Sequence, residues 1–489
     1  MRPINKYSYE MLKVGVIAVI LTLMSCERSY PGLEYDNGKD DIANNEASNK
    51  TPIQLYVNEP SIFSVSTKGL GSIDNQDPNW QKKRQNMLLH IFAFNNNGGN
   101  MKENMSTAHN GDIDNLNCLV DNGVSSGDDY YKGKPASLVD DEGLEFISDI
   151  DTKETEHLYY SSKHQEQGYD FFAYHIDDFI PNSANTHRGE DVIYHDIEID
   201  GSQDIMCGYA PKLSLYMVMY ALGYASDKPV IGDAKQEQIA KDLYNMMSDV
   251  QKNDVNNMLN NGYSTYSAHR GVNPVINIKH QLARLRFEAY PGDNTAENIT
   301  IQKIEVVTKT KGRLTVAAHD MSKIGMTFDE SQKEKSVFLR EASEDGKTMQ
   351  ELRQDYYKVK MTEEDKHKGN WSERTRMPIG DCLLVKPEET IHLILHYDEI
   401  RKVEFENTDK SEYHTFKDLT VEYHISPPDK AANKDETSGT LKFKPGNSYN
   451  IKIAVYGLQP IKVMADMEAW GVGGDVNLGE DEFHDGVTH

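Results

Sequence analysis

The chain has 489 residues, 38% hydrophobic and 27% charged, with a formal net charge of −26. That is long enough for two or three domains and too apolar for wholesale disorder, and the acidic balance argues against nucleic acid and anionic membrane surfaces as partners, since both require a basic face. Four cysteines at this length do not make a disulfide scaffold, and no apolar run reaches the roughly 20 residues of a membrane-spanning helix.

Residues 1–25 place Arg2, Lys6 and Lys13 ahead of an apolar run from Val14 to Met24. The run has signal-peptide length rather than span length. It ends in Leu23-Met24-Ser25-Cys26, which is similar to a bacterial lipobox: an apolar residue, a tolerant position, a small residue, then cysteine. The Cys26 thiol would take a diacylglycerol, and cleavage before it would expose an α-amino group for a further acyl chain such as palmitate. Several chains, at about 0.8 kcal/mol per buried CH₂, anchor a protein stably. An ordinary secretory signal with an incidental cysteine is the competing reading. Residues 26–50, rich in Asn, Asp, Glu and Ser, have nothing to bury and read as a flexible tether. Cys118, Cys207 and Cys382 are expected as buried small apolar side chains.

Past the tether, short apolar runs between Gly, Pro, Asn and Asp predict strands at 52–57, 61–67, 87–94, 157–161, 169–175 and 192–199. One helical region follows. Ile239, Leu243, Met246, Met247 and Val250 recur at helical spacing, and Asp233 with Gln236 three residues on resembles a capping box. The Met-rich stripe is expected to pack on its own domain rather than to serve as a partner groove. A denser strand set follows at 274–290, 299–307, 313–317, 379–386, 390–397, 417–425, 439–444, 448–456 and 461–470. In 299–306 apolar residues fall on both parities, which predicts a strand covered on both faces. The absence of a βαβ rhythm points to a mostly β protein built of β-sandwiches. The composition changes near Gly271-Val272-Asn273-Pro274, which places a domain boundary at about 272, with an N-terminal domain over 51–272 and a C-terminal domain over 273–489.

Motifs that carry catalysis are missing. The sequence has no GxGxxG, GxxxxGK[ST], HExxH or CxxC. His392 and His396 would share a helix face, but Thr390–His396 reads as a strand, which puts them about 13 Å apart at roughly 3.3 Å per residue, too far for one zinc ion. Asp196, Glu198, Asp200 and Asp204 cluster around Gly201 without EF-hand spacing. The expectation is a non-enzymatic protein with no catalytic residues, no cofactor and no metal site.

Four stretches carry a family resemblance. Residues 274–287 read PVINIKHQLARLRF, and 301–306 read IQKIEV. Residues 443–453 read FKPGNSYNIKI, and 465–476 read ADMEAWGVGGDV. Together with Ser66-Thr67-Lys68-Gly69, Trp80 and Ile91-Phe92-Ala93-Phe94, their order resembles the fimbrillin-like family, the lipoprotein-derived fimbrial subunits of Bacteroidales. The resemblance implies two transthyretin-like β-sandwich domains in series, here with a short helical insertion. It also implies a cell-surface location at the outer membrane, partners among other fimbrial subunits, and a role in adhesion. In stalk members of that family a trypsin-like protease removes the first strand, and a neighbour's strand fills the groove by β-strand addition.

This chain is long for a stalk subunit, is expanded between 208 and 272, and ends in an acidic tail from Gly479 to His489. Those features suit a tip, anchor or accessory subunit. Lys68, or the run Lys82-Lys83-Arg84, offers a basic residue between early strands for proteolytic maturation. Along the last strand Ile461, Val463, Ala465, Met467 and Ala469 form one apolar parity, as a donor or core strand must. The alternative is a surface glycan-binding lipoprotein of a polysaccharide-uptake system. Of the three tryptophans, only Trp371 lies outside the family motifs, so that alternative requires Trp371 and nearby tyrosines to form an exposed coplanar platform.

Cys26→Ala is expected to abolish lipid attachment, read by metabolic labelling with a fatty-acid probe. Equal labelling of the variant would refute the lipobox reading.

Overall fold

In the computed structural model the described residues are 51–57, 87–105, 117–124, 126–139, 143–162, 164–230, 232–343, 349–404, 411–435, 438–457 and 462–468. Strands dominate them, so the protein is mostly β, as the short alternating runs predict. Val275–His280 shows why: Ile276, Ile278 and His280 are buried while the residues between them are not.

The first part of the chain forms a nine-stranded sheet. Its order is Leu55–Val57, Val275–His280, Ile205–Tyr209, Tyr169–Ile176, Leu88–Asn95, Lys134–Leu138, Gly143–Asp149 and Glu154–Glu156, with Cys118–Val120 joined to Leu88–Asn95. Leu55–Val57 pairs with Gly143–Asp149 as well, so the sheet closes on itself. A four-stranded sheet of Gly325–Phe328, Lys311–Ala318, Val192–Glu198 and Thr186–Arg188 contributes Ile193, Ile197, Leu314 and Val316 to the same core. Two of its strands come from late in the sequence, and Lys311–Ala318 pairs antiparallel with Val192–Glu198.

A second core lies between two further sheets. One has the order Met377–Val385, Ala283–Pro291, Ser448–Val455, Lys462–Glu468. The other has the order Lys335–Phe338, Ile299–Thr308, Ile391–Glu404, Ser411–Ile425. Leu285, Phe287 and Ile451 from the first share this core with Ile304, Val306 and Leu393 from the second. The expected strand 274–290 is divided at Gln281-Leu282 into Val275–His280 and Ala283–Pro291. Leu282 belongs to the first core and Ala283 to the second.

Some expectations are corrected. The stretches 157–161 and 439–444 are not strands but hold isolated bridges at Tyr159 and Leu441, and 61–67 lies outside the described residues. Ile299–Thr308 is not covered on both faces. A register shift between Ile301 and Lys303 inserts Gln302 as a bulge. The bulge rephases the alternation, so Ile299, Ile301, Ile304 and Val306 are all buried while Thr300, Lys303 and Glu305 are not.

The helical region holds Leu215–Ala221, Ala234–Met246, Asp249–Asn261 and Thr265–Ala268. The expected stripe is split, because the helix stops at Met246 and Ser248 starts the next one; its Leu243 and Met247 pack, partly buried, against the first core. Ser248 and Gln251 cap each other reciprocally. Asp233 caps the earlier helix, but Gln236 turns to the Val230 N–H and the Lys228 carbonyl instead of closing a box. Ile239, Met246 and Val250 are exposed, and the residue that helix Ala234–Met246 buries is Ala240. Tyr216, Val218, Met219, Val255 and Met258 fasten the region to the first core.

Deleting Gln302 removes the extra residue and leaves Ile299, Ile301, Ile304 and Val306 at a regular spacing of two on one face, so the variant is expected to keep its core and to shift stability by about 1 kcal/mol or less, read as the thermal midpoint. A loss of about 3–6 kcal/mol, the worth of two buried isoleucines, would refute the bulge. Gln302→Ala keeps the residue count and is expected to cost about 1 kcal/mol or less.

Candidate functional site

The segment Thr51–Val57 lies between two sheet edges. Leu55–Val57 runs parallel to Val275–His280, with Tyr56 opposite Val275 and Val57 opposite Ile276. On its other side it runs antiparallel to Gly143–Asp149, with Leu55 opposite Leu144. Upstream, the Ile53 N–H donates to the Leu158 carbonyl and the Tyr160 N–H to the Thr51 carbonyl, both at 2.9 Å. Thr51 Oγ1 and His269 Nε2 share a hydrogen bond of 2.5 Å, which ties the segment to the end of the last helix. Ile53, Leu55 and Val57 are buried in the first core. Main-chain pairing along both walls and a buried place for every second side chain hold this extended segment in its slot.

Lys462–Glu468 is the last strand of its sheet, paired with Ser448–Val455 from Ser448↔Glu468 to Ala454↔Lys462. Val463, Ala465 and Met467 are half-buried against the second core. Asp466, of the opposite parity, lies 3.3 Å from Lys430 and 3.1 Å from Lys452. Ile461 and Ala469 fall outside the described residues, as do Cys26, Lys68 and Arg84.

The other residues singled out in the sequence take structural positions. The acidic cluster is spread along one seam. Asp196 lies 3.3 Å from Arg313, Glu198 pairs with Lys335 and lies 3.6 Å from Lys311, Asp200 lies 3.5 Å from Arg340, and Asp204 lies 2.8 Å from His280. His392 and His396 lie on Ile391–Glu404, the strand their surroundings predict. His392 stacks on His424 at 4.6 Å and His396 Nε2 contacts Glu305 at 3.0 Å. Among the described residues no cluster of His, Cys, Asp and Glu is placed to hold a metal. Cys118, Cys207 and Cys382 are buried and unbridged. Burial pushes Cys207 and Cys382 up to about 12, so their thiolates are not available at neutral pH.

Trp371 does not form a platform. It is half-buried and meets the buried Tyr290 edge-on, with centroids 5.5 Å apart and an interplanar angle of 70°. Tyr130–Tyr131 and Tyr356–Tyr357 are edge-on too, at 80° and 83°. Sugar faces need coplanar exposed rings, so the glycan alternative loses the observation it required.

Sequence reasoning missed Arg188. Its guanidinium is buried and fully engaged: Nε donates to the Met101 carbonyl at 2.7 Å, Nη1 to the Tyr130 carbonyl at 2.7 Å, and Nη2 to the Glu103 carbonyl at 2.6 Å and Asp121 Oδ2 at 2.8 Å. The rings of Phe92 and Phe94 lie beneath it at 5.8 Å. Removing either partner of such a pair strands a buried charge. The residues it joins are scattered over 92–188, so nothing in the local pattern marks it.

No protein-family model matches the chain, and no curated protein matches it. Its structural neighbours are candidate cell adhesion proteins and fimbrial proteins. One is a candidate cell adhesion protein from Bacteroides uniformis, 9% identical, covering 86% of this chain and 98% of that one, with a TM-score of 0.38. Another is the tip fimbrial protein Mfa3 of Porphyromonas gingivalis with a C-terminal truncation, at 10% identity, covering 86% and 100% of the two chains, with a TM-score of 0.30. A third is the fimbrial anchor protein Mfa2 of the same organism, at 9% identity, 86% and 99% coverage and a TM-score of 0.27. At TM-scores below 0.5 none of these likenesses bears weight on function.

His195 makes the first core pH-sensitive. It is fully buried, shares a hydrogen bond of 2.8 Å with Thr186 Oγ1 through Nδ1, and its Nε2 has no partner among the described residues. Burial, reinforced by nearby His90, holds it down at about 3. Its folded value lies below the ordinary histidine value of about 6.5. The unfolded chain therefore takes up a proton that the folded chain refuses, and stability is full above about pH 6.5 and is lost as pH falls toward the folded value. The thermal midpoint is expected to drop on acidification below about pH 6.5, and His195→Phe is expected to flatten that drop. An acid arm of unchanged depth in the variant would assign it to other groups.

Proposed function

We propose that this chain is a lipid-anchored surface subunit of fimbriae, non-enzymatic and adhesive, serving as a tip, anchor or accessory component and joined to other fimbrial subunits by β-strand addition. The observation that carries this reading is the seat of Thr51–Val57. The first described strand occupies a slot between two sheet edges and fills it with Ile53, Leu55 and Val57. Such a slot accepts an incoming strand of the same alternation. The resemblance of 274–287, 301–306, 443–453 and 465–476 to the fimbrillin-like pattern supports the same reading.

Acylation at Cys26 would tether the chain to the outer membrane, with the polar stretch 26–50 between lipid and first strand. Lys68 and Arg84 follow Leu55–Val57 in sequence and precede Leu88–Asn95. A cut at either would leave Thr51–Val57 joined to the body by pairing alone, so that a neighbour's strand could take its place. The strand carrying Val463, Ala465 and Met467 is proposed as the second participant, a core strand in its own subunit that exchange would hand to a neighbour.

A chain beginning after Lys68 tests the seat. It is expected to be less stable than the full chain and to recover stability with a peptide of residues 51–57, but not with a peptide whose apolar residues are moved by one position. A truncated chain as stable as the parent and indifferent to both peptides would overturn strand addition at this slot. Mass spectrometry of surface-extracted protein is expected to find a mature N-terminus after Lys68 or Arg84. An N-terminus at Cys26 alone would remove maturation while leaving the seat in place.

A further inference from the structure

The strand Leu88–Asn95 ends in a turn that reads Asn95-Asn96-Asn97-Gly98-Gly99. Both shoulders of the turn are pinned. The Asn96 N–H donates to the Gly168 carbonyl at 3.1 Å, the Gly99 N–H donates to the Asn95 carbonyl at 3.3 Å, and His319 Nε2 lies 2.7 Å from the Gly99 carbonyl. The middle of the turn is open. Asn97 and Gly98 are exposed. The Asn97 N–H donates to Asn95 Oδ1 at 2.8 Å, but the Asn97 carboxamide and the Gly98 N–H make no hydrogen bond among the described residues. Gly98 has φ +88°, and a Cβ there would meet nothing within 4 Å. With neither a side chain nor a neighbour in the way, the Gly98 nitrogen is free to swing toward the side chain of Asn97. Two other Asn-Gly pairs among the described residues are locked. At Asn122-Gly123 the Gly123 N–H donates to Asp121 Oδ1 at 2.8 Å and Asn122 Nδ2 donates to the Asp129 carbonyl at 3.4 Å, while Asp121 is itself held by Arg188. At Asn261-Gly262, the end of the helix Asp249–Asn261, the Gly262 N–H donates to the Met258 carbonyl at 2.9 Å.

We propose that Asn97 is a self-modification site, where the side-chain amide is lost through a succinimide formed with the Gly98 nitrogen, and that the fold directs this reaction to Asn97 and withholds it from Asn122 and Asn261. The Gly98 nitrogen gives up its proton and attacks Asn97 Cγ. The new Cγ–N bond closes the ring, the Cγ–Nδ2 bond breaks, and ammonia leaves with the proton. Water then adds to one of the ring carbonyls and breaks its bond to nitrogen. Opening at Cγ gives aspartate. Opening at the main-chain carbonyl carbon gives isoaspartate, with the backbone routed through Cγ. Water is the only reagent consumed. The first step needs a nitrogen that can lose its proton and reach Cγ. The Gly123 N–H points at a carboxylate, which opposes its ionisation, and the Gly262 N–H closes the end of a helix. Both sites must therefore open locally before they can react. At Asn97 the reaction adds a negative charge to the exposed middle of the turn. The bonds at its shoulders are left in place, as is the Met101 carbonyl just beyond, which accepts from Arg188.

The test is peptide mapping by mass spectrometry of the full chain after timed incubation near neutral pH, folded and in guanidinium chloride, with isoaspartate identified by isoaspartyl methyltransferase labelling. In the folded chain Asn97 is expected to lose its amide at least about tenfold faster than Asn122 or Asn261, which must open first. In guanidinium chloride all three are expected to react at comparable rates, since each is followed by glycine and none is held. Asn97→Gln is expected to remove the product from this turn and to leave the thermal midpoint where it was. An Asn97 that keeps its amide in the folded chain overturns the site. Equal rates at the three positions in the folded chain, or the same order persisting in guanidinium chloride, overturn the role of the fold.

Discussion

The first core depends on a closure problem. Six strands of the large sheet, from Val275–His280 round to Gly143–Asp149, would end in two exposed edges were it not for Leu55–Val57 between them. An open edge carries a row of unpaired main-chain groups and invites association. A very short strand satisfies both edges at once, and its neighbours Thr51 and Ile53 extend the pairing to residues 158 and 160. The ring also fixes the inside of the sheet, because Leu55 and Val57 complete a core that reaches Phe92, Phe171 and Ile276. Everything stacked on that ring, including the helices and the four-stranded sheet, inherits its geometry.

The second constraint is the sharing of elements between cores. Lys311–Ala318 lies beyond Ile299–Thr308 in sequence yet pairs with Val192–Glu198. The acidic residues along that strand and the turn after it meet cations from 311–340. Exposed ion pairs contribute little singly. Here they lie along a seam that backbone pairing already holds, where they discourage register slips more than they add stability.

Much of the strand content was legible because alternation is a local signal. Leu88–Asn95, Tyr169–Ile176, Ile299–Thr308, Ile391–Glu404 and Ser448–Val455 all stand where apolar residues recur between turn formers. What could not be read locally was long-range. Gln302 looked like an interior strand residue, and only its pairing with Ile391–Glu404 shows it as a bulge. The helical stripe looked continuous because the periodicity of Met246, Met247 and Val250 ignores the break that Ser248 imposes. Short strands such as Thr186–Arg188 and Cys118–Val120 exist because a neighbouring edge needs them, not because of their own composition. The seat was only half legible: 52–57 reads as a strand, but its two walls lie some ninety and two hundred residues away. Arg188 and the His280–Asp204 pair belong to the same class, joining polar residues distant in sequence.

The direction of Leu55–Val57 has a mechanical consequence. The strand lies parallel to Val275–His280 with its upstream end at Thr51. Tension applied from the N-terminal side therefore runs along the strand axis. Its hydrogen bonds to 143–144, 158–160 and 274–276 are then loaded side by side in shear, and none can open before its neighbours. A pull across the strand would peel the same bonds one at a time under far less force. The seat thus resists an axial tug while yielding to displacement from one end.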